Sequence, residues 1–136
     1  MKSKDQVRRG RTLVSNLMCH LVFVTKYRRT VIDARIWPTI GNAFASASGK
    51  LGCTIHEANH DGDHVHLIVE YAPALSISEM VNALKGVSSR MVRRDCMEAV
   101  RPNLWGEHFW SPSYFVCSCG GAPLEVVTQY VRSQRD

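Results

Sequence analysis

The sequence predicts an α+β fold, a ferredoxin-like split β-α-β arrangement in which helices cover an antiparallel sheet. Segments with β-forming composition alternate with segments of helical periodicity, in the order β-α-β-β-α-β and then one more helix. A turn signal between the second and third strands makes that pair a hairpin. The 136 residues, 45% of them hydrophobic, suffice for one core. This fold hosts many functions, so it does not itself indicate one.

The chain is predicted to consist of a basic N-terminal arm, residues 1–14, followed by a single domain, residues 15–136. It has 17 Lys and Arg against 12 Asp and Glu, a net charge of +5, which favours polyanionic partners. No apolar run approaches the roughly 20 residues of a membrane-spanning helix. The basic start lacks the apolar core of a secretory signal. We therefore expect no membrane partner and a cytoplasmic location.

The first half of the domain is predicted to hold a strand, a helix and a hairpin. Residues 17–27 (LMCHLVFVTKY) are rich in β-formers. Asp33 can cap a helix that continues to about Lys50, where a glycine-rich stretch ends it. Residues 53–59 and 63–71 then form two strands joined through His60-Asp61-Gly62.

The second half is predicted to contain two helices with strand structure between them. Ser76-Ile77-Ser78-Glu79 is a capping box, which opens a helix to about Cys96. Residues 105–119 are aromatic and β-prone, and Ser111-Pro112 interrupts them, so they offer one or two strands. Gly120-Gly121 then breaks the chain before a final helix that carries Tyr130.

Two histidines on the third predicted strand form a candidate metal site. In residues 64–69 (HVHLIV) the side chains of His64 and His66 project from one face, because strand side chains alternate. Two imidazoles on a stiff strand can converge on one cation. Two ordinary, half-exposed histidines would give the same pattern.

Tyr130 and Gln134 are four residues apart on the last predicted helix, so they face the same way. Tyr130 can present a phenolate, and Gln134 a carbonyl oxygen that suits a hard cation such as Mg²⁺ or Mn²⁺. A packed amphipathic residue is the ordinary alternative for a tyrosine near a C-terminus.

With these motifs, the chain resembles the single-tyrosine HUH transposases (TnpA) of single-strand insertion sequences. The likeness covers almost the whole chain. Besides the two motifs, the segments that carry it are 20–28 (HLVFVTKYR), 62–71 (GDHVHLIVEY), 84–90 (LKGVSSR), 110–115 (WSPSYF) and 120–125 (GGAPLE).

The resemblance implies a transposase that cleaves and rejoins single-stranded DNA through a 5′-phosphotyrosine at hairpin-marked transposon ends. It implies Tyr130 as the nucleophile, and His64, His66 and Gln134 as ligands of a divalent metal, Mg²⁺ or Mn²⁺. It also implies a homodimer in which the helix of Tyr130 completes the histidine site of the other subunit. The Gly120-Gly121 break would let that helix swing as a unit.

Because the expected partner is DNA, basic residues on or beside the predicted elements are candidates for contacting it. Such residues contact phosphates, which makes affinity fall with salt. The candidates are Lys26, Arg28 and Arg29 after the first strand, and Lys85, Arg90, Arg93 and Arg94 on the second helix. Trp105, Phe109 and Trp110 can stack on bases, although core packing is the expected role of at least two of them.

Three other functions fit parts of the pattern. A rolling-circle-type HUH nuclease shares the order of histidines and tyrosine, but generally has additional acidic ligands and a longer chain. A catalytically inactive nucleic-acid-binding module on a ferredoxin-like sheet would form no covalent adduct. A metal hydrolase is disfavoured because no carboxylate completes an obvious ligand set.

Overall fold

A computed structural model gives the architecture, and it describes residues 8–9, 14–15, 17–100, 108–118 and 124–134. The strands are β1 Arg8–Arg9, β2 Val14–Ser15, β3 Leu17–Val24, β4 Thr54–His60, β5 His64–Tyr71 and β6 Phe115–Ser118. The helices are α1 Trp37–Leu51, α2 Ile77–Val100 and α3 Leu124–Ser133. The predicted α+β element order is confirmed. None of the described helices combines the length and apolar character needed to cross a bilayer.

The main sheet has the strand order β4-β5-β3-β6, and all neighbours are antiparallel. The two central strands pair along their full length, from Leu17 opposite Tyr71 to Val24 opposite His64. The edge strand β4 contains a bulge between Ile55 and Glu57. Separately, β1 pairs with β2 at the end of the region predicted as a basic arm, residues 1–14, and Ser15 of β2 lies just beyond it. The other arm residues lie outside the described part of the chain.

The two faces of the sheet are covered differently. One face packs against α1 and α2 and holds the larger core, which includes Leu21, Phe23, Val65, Leu67 and Val69. On the other face, a small cluster of Val22, Val24 and Val131 attaches α3, with Phe115 and Tyr130 at its margin. Alternation along β3 and β5 produces this division.

The helix α1 follows the predicted periodicity but begins later than predicted. Ile40, Phe44 and the alanines on their face are buried, and Gly52 ends the helix with a left-handed φ of 73°. The helix starts at Trp37, and Asp33 instead caps the turn before it, because its Oδ1 accepts hydrogen bonds from the N–H groups of Arg35 (2.9 Å) and Ile36 (3.3 Å).

The capping box of α2 is present. Ser76 Oγ accepts the Glu79 N–H and donates to the Glu79 carboxylate, both at 3.0 Å. The helix extends to Val100, beyond the predicted end near Cys96, and it is kinked at Cys96. Helical spacing from Ile77, Met80 and Leu84 favours Met91 as an inward residue, but Met91 is half-buried and Val92 is fully buried, so the buried stripe drifts by one residue.

The connection after the first strand of the domain differs from the prediction. The first strand ends at Val24, and Lys26–Arg28 form a 3-10 turn in which Tyr27 and Arg28 adopt left-handed φ values of 62° and 54°. The Thr25 hydroxyl donates to the Arg29 carbonyl oxygen at 2.7 Å and closes this turn.

Only one strand, β6, lies in the described part of 105–119. Trp110 joins the sheet through a single bridge to Thr25, and Phe109 and Trp110 are buried in the core. Trp105, Gly120-Gly121 and the predicted start of the last helix at 122–123 lie outside the described residues.

Candidate active site

His64 and His66 lie side by side on β5, on the sheet face that α3 covers. Both are partly buried, and their ring centroids are 4.8 Å apart, while Val65 and Leu67 between and beside them are fully buried in the opposite face. Strand alternation therefore brings the two imidazoles together as predicted.

Asp63 orients His64. Its carboxylate accepts a hydrogen bond from His64 Nδ1 at 2.7 Å, and its second oxygen accepts one from Arg28 Nε at 3.3 Å. Burial raises the pKa of Asp63, but the hydrogen bonds from His64 and Arg28 outweigh it and hold that pKa below its ordinary value. Because the carboxylate is an acceptor, His64 Nδ1 carries the proton, and Nε2 keeps the lone pair that can bind a metal.

His66 contacts a third histidine that the sequence did not single out. His20 Nε2 lies 3.3 Å from His66 Nδ1, and the two rings stack with centroids 5.4 Å apart. Burial, with smaller effects from His64 and His20, lowers the pKa of His66 to about 4, so the ring is neutral at pH 7. The signal that could have found His20 is its position on β3 facing opposite to Cys19 and Leu21, but only the pairing of β3 with β5 brings it to His66.

Tyr130 and Gln134 meet at Ser113. The Tyr130 hydroxyl is 2.8 Å from Ser113 Oγ, and Ser113 Oγ donates to Gln134 Oε1 at 2.6 Å. A serine has one hydroxyl proton, and Gln134 Oε1 can only accept it, so Tyr130 donates its own proton to Ser113. The tyrosine in this arrangement is a neutral phenol.

Gln134 lies one residue beyond α3 rather than within it, although its N–H still donates to the Val131 carbonyl oxygen at 3.2 Å. Its Oε1 also accepts a hydrogen bond from Ser111 Oγ at 3.2 Å. The two serines were not predicted, and the Ser-Pro-Ser interruption was their only signal. Binding a metal through Oε1 would require at least one serine hydroxyl to give way.

The helix α3 lies against the sheet of its own chain. Val131 packs on Val22 and Val24, which stand opposite His66 and His64 in the sheet. Arg28 Nη1 donates to the Arg132 carbonyl oxygen at 3.3 Å, so Arg28 connects the end of α3 to Asp63. The tyrosine helix and the histidine pair thus share one face of the sheet.

The candidate metal ligands are the imidazoles of His64 and His66 and the amide oxygen of Gln134. Two imidazoles whose Nδ1 atoms are already hydrogen-bonded, together with one amide oxygen, form a mixed nitrogen and oxygen set of the kind that divalent metals accept. Among the described side chains, no group of three His, Cys, Asp or Glu is arranged as a metal centre. By their chemistry the two imidazoles fit a divalent cation, and the Gln134 amide would be the third protein ligand.

The basic residues predicted to contact DNA fall on two surfaces and one half-buried position. In the turn after β3, Lys26 Nζ and Arg29 Cζ each lie 5.2 Å from the exposed ring of Tyr27. In the helix layer, a groove of about 560 Å³ between α1 and α2 includes Lys50 in its lining, together with Arg90, Arg93 and Arg94. Nε and Nη2 of Arg93 are buried there without a hydrogen-bond partner among the described residues.

Lys85 occupies the half-buried position. Its Nζ donates to the carbonyl oxygens of Ser111 (2.6 Å) and Ser113 (3.2 Å) and lies 5.8 Å from the Phe23 ring centroid. Burial lowers the pKa of Lys85 to about 8, so most of the ammonium is still charged at pH 7. The structure supports a role for Lys85 in holding the segment that contacts Tyr130 and Gln134 more than a role in binding phosphate.

Comparisons with known proteins bear on the whole chain. The profile of a family described as "Transposase IS200 like" matches residues 13–134. The ISDra2 transposase TnpA of Deinococcus radiodurans is 28% identical over 131 residues, covering 96% of this chain and 93% of that protein. The transposase for insertion sequence element IS200 of Salmonella typhimurium is 27% identical over 119 residues, covering 88% and 77%.

Solved structures agree on the fold. A crystal structure from Deinococcus radiodurans, named as a transposase, superposes with a TM-score of 0.85 at 28% identity, covering 94% of this chain and 98% of that one. A REP-associated tyrosine transposase bound to a REP hairpin gives a TM-score of 0.58 at 11% identity, covering 93% and 69%, a likeness of fold alone. With the family profile matching nearly the entire domain, the chain belongs to the IS200-like transposase family.

Proposed function

We propose that this transposase cleaves and rejoins single-stranded DNA through a covalent 5′-phosphotyrosine on Tyr130. One observation carries the proposal. Val22 and Val24 are paired with His66 and His64 in the sheet and also pack against Val131 of the tyrosine helix. A nucleophile and a pair of metal-binding imidazoles on one face are the components that phosphoryl transfer requires.

His64, His66 and Gln134 would hold the cation, Mg²⁺ or Mn²⁺. When bound, such a cation offsets negative charge on the scissile phosphate and polarises phosphorus. The hydrogen bond from His64 to Asp63 supports this role, since it occupies Nδ1 and leaves Nε2 as the ring nitrogen available to a metal.

Tyr130 would attack the phosphate in line. Its phenol oxygen forms the new bond to phosphorus, the bond from phosphorus to the 3′ oxygen breaks, and that oxygen leaves as a hydroxyl after gaining a proton. A tyrosine in water is only about 0.1% ionised at pH 7, so the proton that Tyr130 shares with Ser113 must be removed first. The phosphotyrosine conserves the bond, and a 3′-hydroxyl from another end can reverse the step without ATP.

The substrate would be single-stranded DNA with hairpins at transposon ends. The distant fold neighbour was solved with a REP hairpin, and the net charge of +5 here suits a polyanion. The phosphate contacts would come from the turn with Lys26, Arg28 and Arg29 and from the groove with Arg90, Arg93 and Arg94. We expect this activity in the cytoplasm.

The functional unit would be a homodimer with sites shared between subunits. Within one chain the described contacts hold α3 on its own sheet, and the same apolar contacts of Val131 can form with the sheet of a second copy. Mixing Tyr130→Phe with His64→Ala protein tests this directly. Recovered cleavage supports shared sites, whereas an inactive mixture of folded variants shows a site built within one chain.

Covalent trapping tests the chemistry. Incubation with 3′-end-labelled hairpin DNA and Mn²⁺ should give a labelled protein band on a denaturing gel, because the strand on the 3′ side of the cut stays on the tyrosine, and Tyr130→Phe should remove it. Tyr27→Phe is the matched control, since Tyr27 is 48% exposed and lies outside α3. A band that persists in Tyr130→Phe would overturn the assignment of the nucleophile.

Two other functions make different predictions in the same assay. A rolling-circle-type replication nuclease would form the adduct on origin-like DNA rather than on hairpin-flanked ends. A catalytically inactive nucleic-acid-binding module would bind DNA without metal and give no adduct with either substrate.

A further inference from the structure

The His20 imidazole contacts the histidine pair, and the proposed chemistry leaves it unused. It is partly buried on the central strand β3, and Cys19 and Leu21 on either side of it are buried in the opposite face. In the sheet His20 stands opposite Ile68, two residues from His66 along β5. It is therefore a diagonal cross-strand neighbour of His66 on two well-packed strands.

The contact between His20 Nε2 and His66 Nδ1 restricts where the protons lie. A neutral imidazole has one N–H donor and one acceptor nitrogen, so one ring must donate across the 3.3 Å contact and the other must accept. If His66 Nδ1 donates, its Nε2 has a free lone pair. If His20 donates, the proton of His66 moves to Nε2, which then cannot bind a metal.

Both rings are partly buried and lie in direct contact. Between two such rings the hydrogen bond itself selects the tautomer of each. Ring stacking at an interplanar angle of 29° also limits rotation of His66 about its side chain.

We propose that His20 is a positioning residue: its Nε2 accepts the Nδ1 proton of His66 and so fixes the tautomer and direction of that metal ligand. Asp63 does the same for His64 through a carboxylate. The inference rests on the proposed function, because it requires His66 to be a ligand. It adds a third histidine, which would act through His66.

The first test is the tautomer of His66 in the metal-free protein, measured by long-range ¹H–¹⁵N NMR. The wild type should show a proton on Nδ1 of His66 and on Nδ1 of His20. His20→Phe retains an aromatic ring but has no acceptor, so His66 should become a mixture of tautomers. A wild-type His66 protonated mainly at Nε2 would overturn the inference, even if every His20 variant failed to fold.

The second test is Mn²⁺ affinity, measured by electron paramagnetic resonance without DNA. His20→Phe should weaken binding by about 10- to 100-fold, the usual effect of losing the hydrogen-bond partner of a ligand. His20→Gln should recover part of the loss, since its amide oxygen can accept the same proton. His60→Phe is the matched control, a β4 histidine whose ring stacks on Trp37 with centroids 4.5 Å apart.

His64→Ala separates failure of the inference from failure of the proposed function. If His64→Ala leaves Mn²⁺ affinity unchanged, the metal site is wrong and the role of His20 is overturned with it. If His64→Ala abolishes binding while His20→Phe keeps both the tautomer and the affinity of the wild type, only the role of His20 is overturned.

Discussion

Individual side chains in the site are held by partners of different charge. His64 donates to an anionic carboxylate, whereas the only described polar contact of His66 Nδ1 is with another imidazole. A second carboxylate in place of His20 would add negative charge where a DNA phosphate is expected to approach. A neutral partner can orient a ligand without that repulsion.

Lys85 illustrates how a basic residue can be structural. We expect Lys85→Met to lower the free energy of unfolding by about 1–3 kcal/mol, because hydrogen bonds from a charged donor to two carbonyl oxygens are lost. Urea denaturation followed by circular dichroism measures this. The salt dependence of DNA binding should not change. Unchanged stability with a reduced salt slope would instead identify Lys85 as a phosphate contact.

At the scale of elements, the turn between β4 and β5 is sterically constrained. A Cβ added at Gly62 would lie 2.4 Å from Thr30 Cγ2, so one of the two segments must move. Gly62→Ala should destabilise the protein by about 1–2 kcal/mol. Thr30→Ser removes the clashing methyl group and should restore most of the loss in the double variant. Equal stability of Gly62→Ala and wild type in urea would contradict this packing.

The turn before α1 gives a pH-dependent prediction. The hydrogen bond with the Arg35 side chain is the main cause that lowers the pKa of Asp33. Hydrogen bonds from backbone N–H groups lower it further, and together these hydrogen bonds outweigh the effect of burial, which raises the pKa. A lowered folded pKa stabilises the protein above the ordinary value near 4, and the gain disappears as pH falls through the folded pKa.

Asp33→Ala should therefore lose about 1 kcal/mol at pH 7 and progressively less below about pH 4. Urea unfolding between pH 3 and 7 measures this difference. Asp33→Asn is the matched control, because it keeps an oxygen acceptor but cannot titrate, so its stability should not share that pH dependence. A constant difference between Asp33→Ala and wild type would exclude the carboxylate as the source.

The order of elements could be predicted from the sequence because alternation, helical periodicity and the capping box are local signals. The shared face of His64 and His66 could also be predicted from a local signal, the alternation of side chains along a strand. The contacts of His20 with His66 and of Ser113 with Tyr130 and Gln134 join strands and segments far apart in the chain, so no local pattern specifies them. The end of β3 at Val24 was missed because the β-forming composition continues into a turn with left-handed backbone.

For the molecule as a whole, basic residues lie both beside the histidine face and on the helix layer. If both surfaces contact DNA, Lys26→Gln and Arg90→Gln should each reduce the slope of log affinity against log salt by roughly 0.7–0.9. Arg35→Gln is the control, since this exposed arginine pairs with Asp33 at 2.8 Å. A slope unchanged in Arg90→Gln would remove that arginine from the proposed DNA contacts.

Arg28 donates both to Asp63 and to the last turn of α3, and this has a consequence for mutagenesis. Substitutions of Arg28 should be non-additive with changes at Asp63, which accepts its hydrogen bond directly, and with changes at Val131, the neighbour of Arg132, whose carbonyl oxygen accepts from Arg28. They should add simply with changes at distant Lys50. A double-mutant cycle could thus trace the coupling of the nucleophile's helix to the histidine pair without any measurement of catalysis.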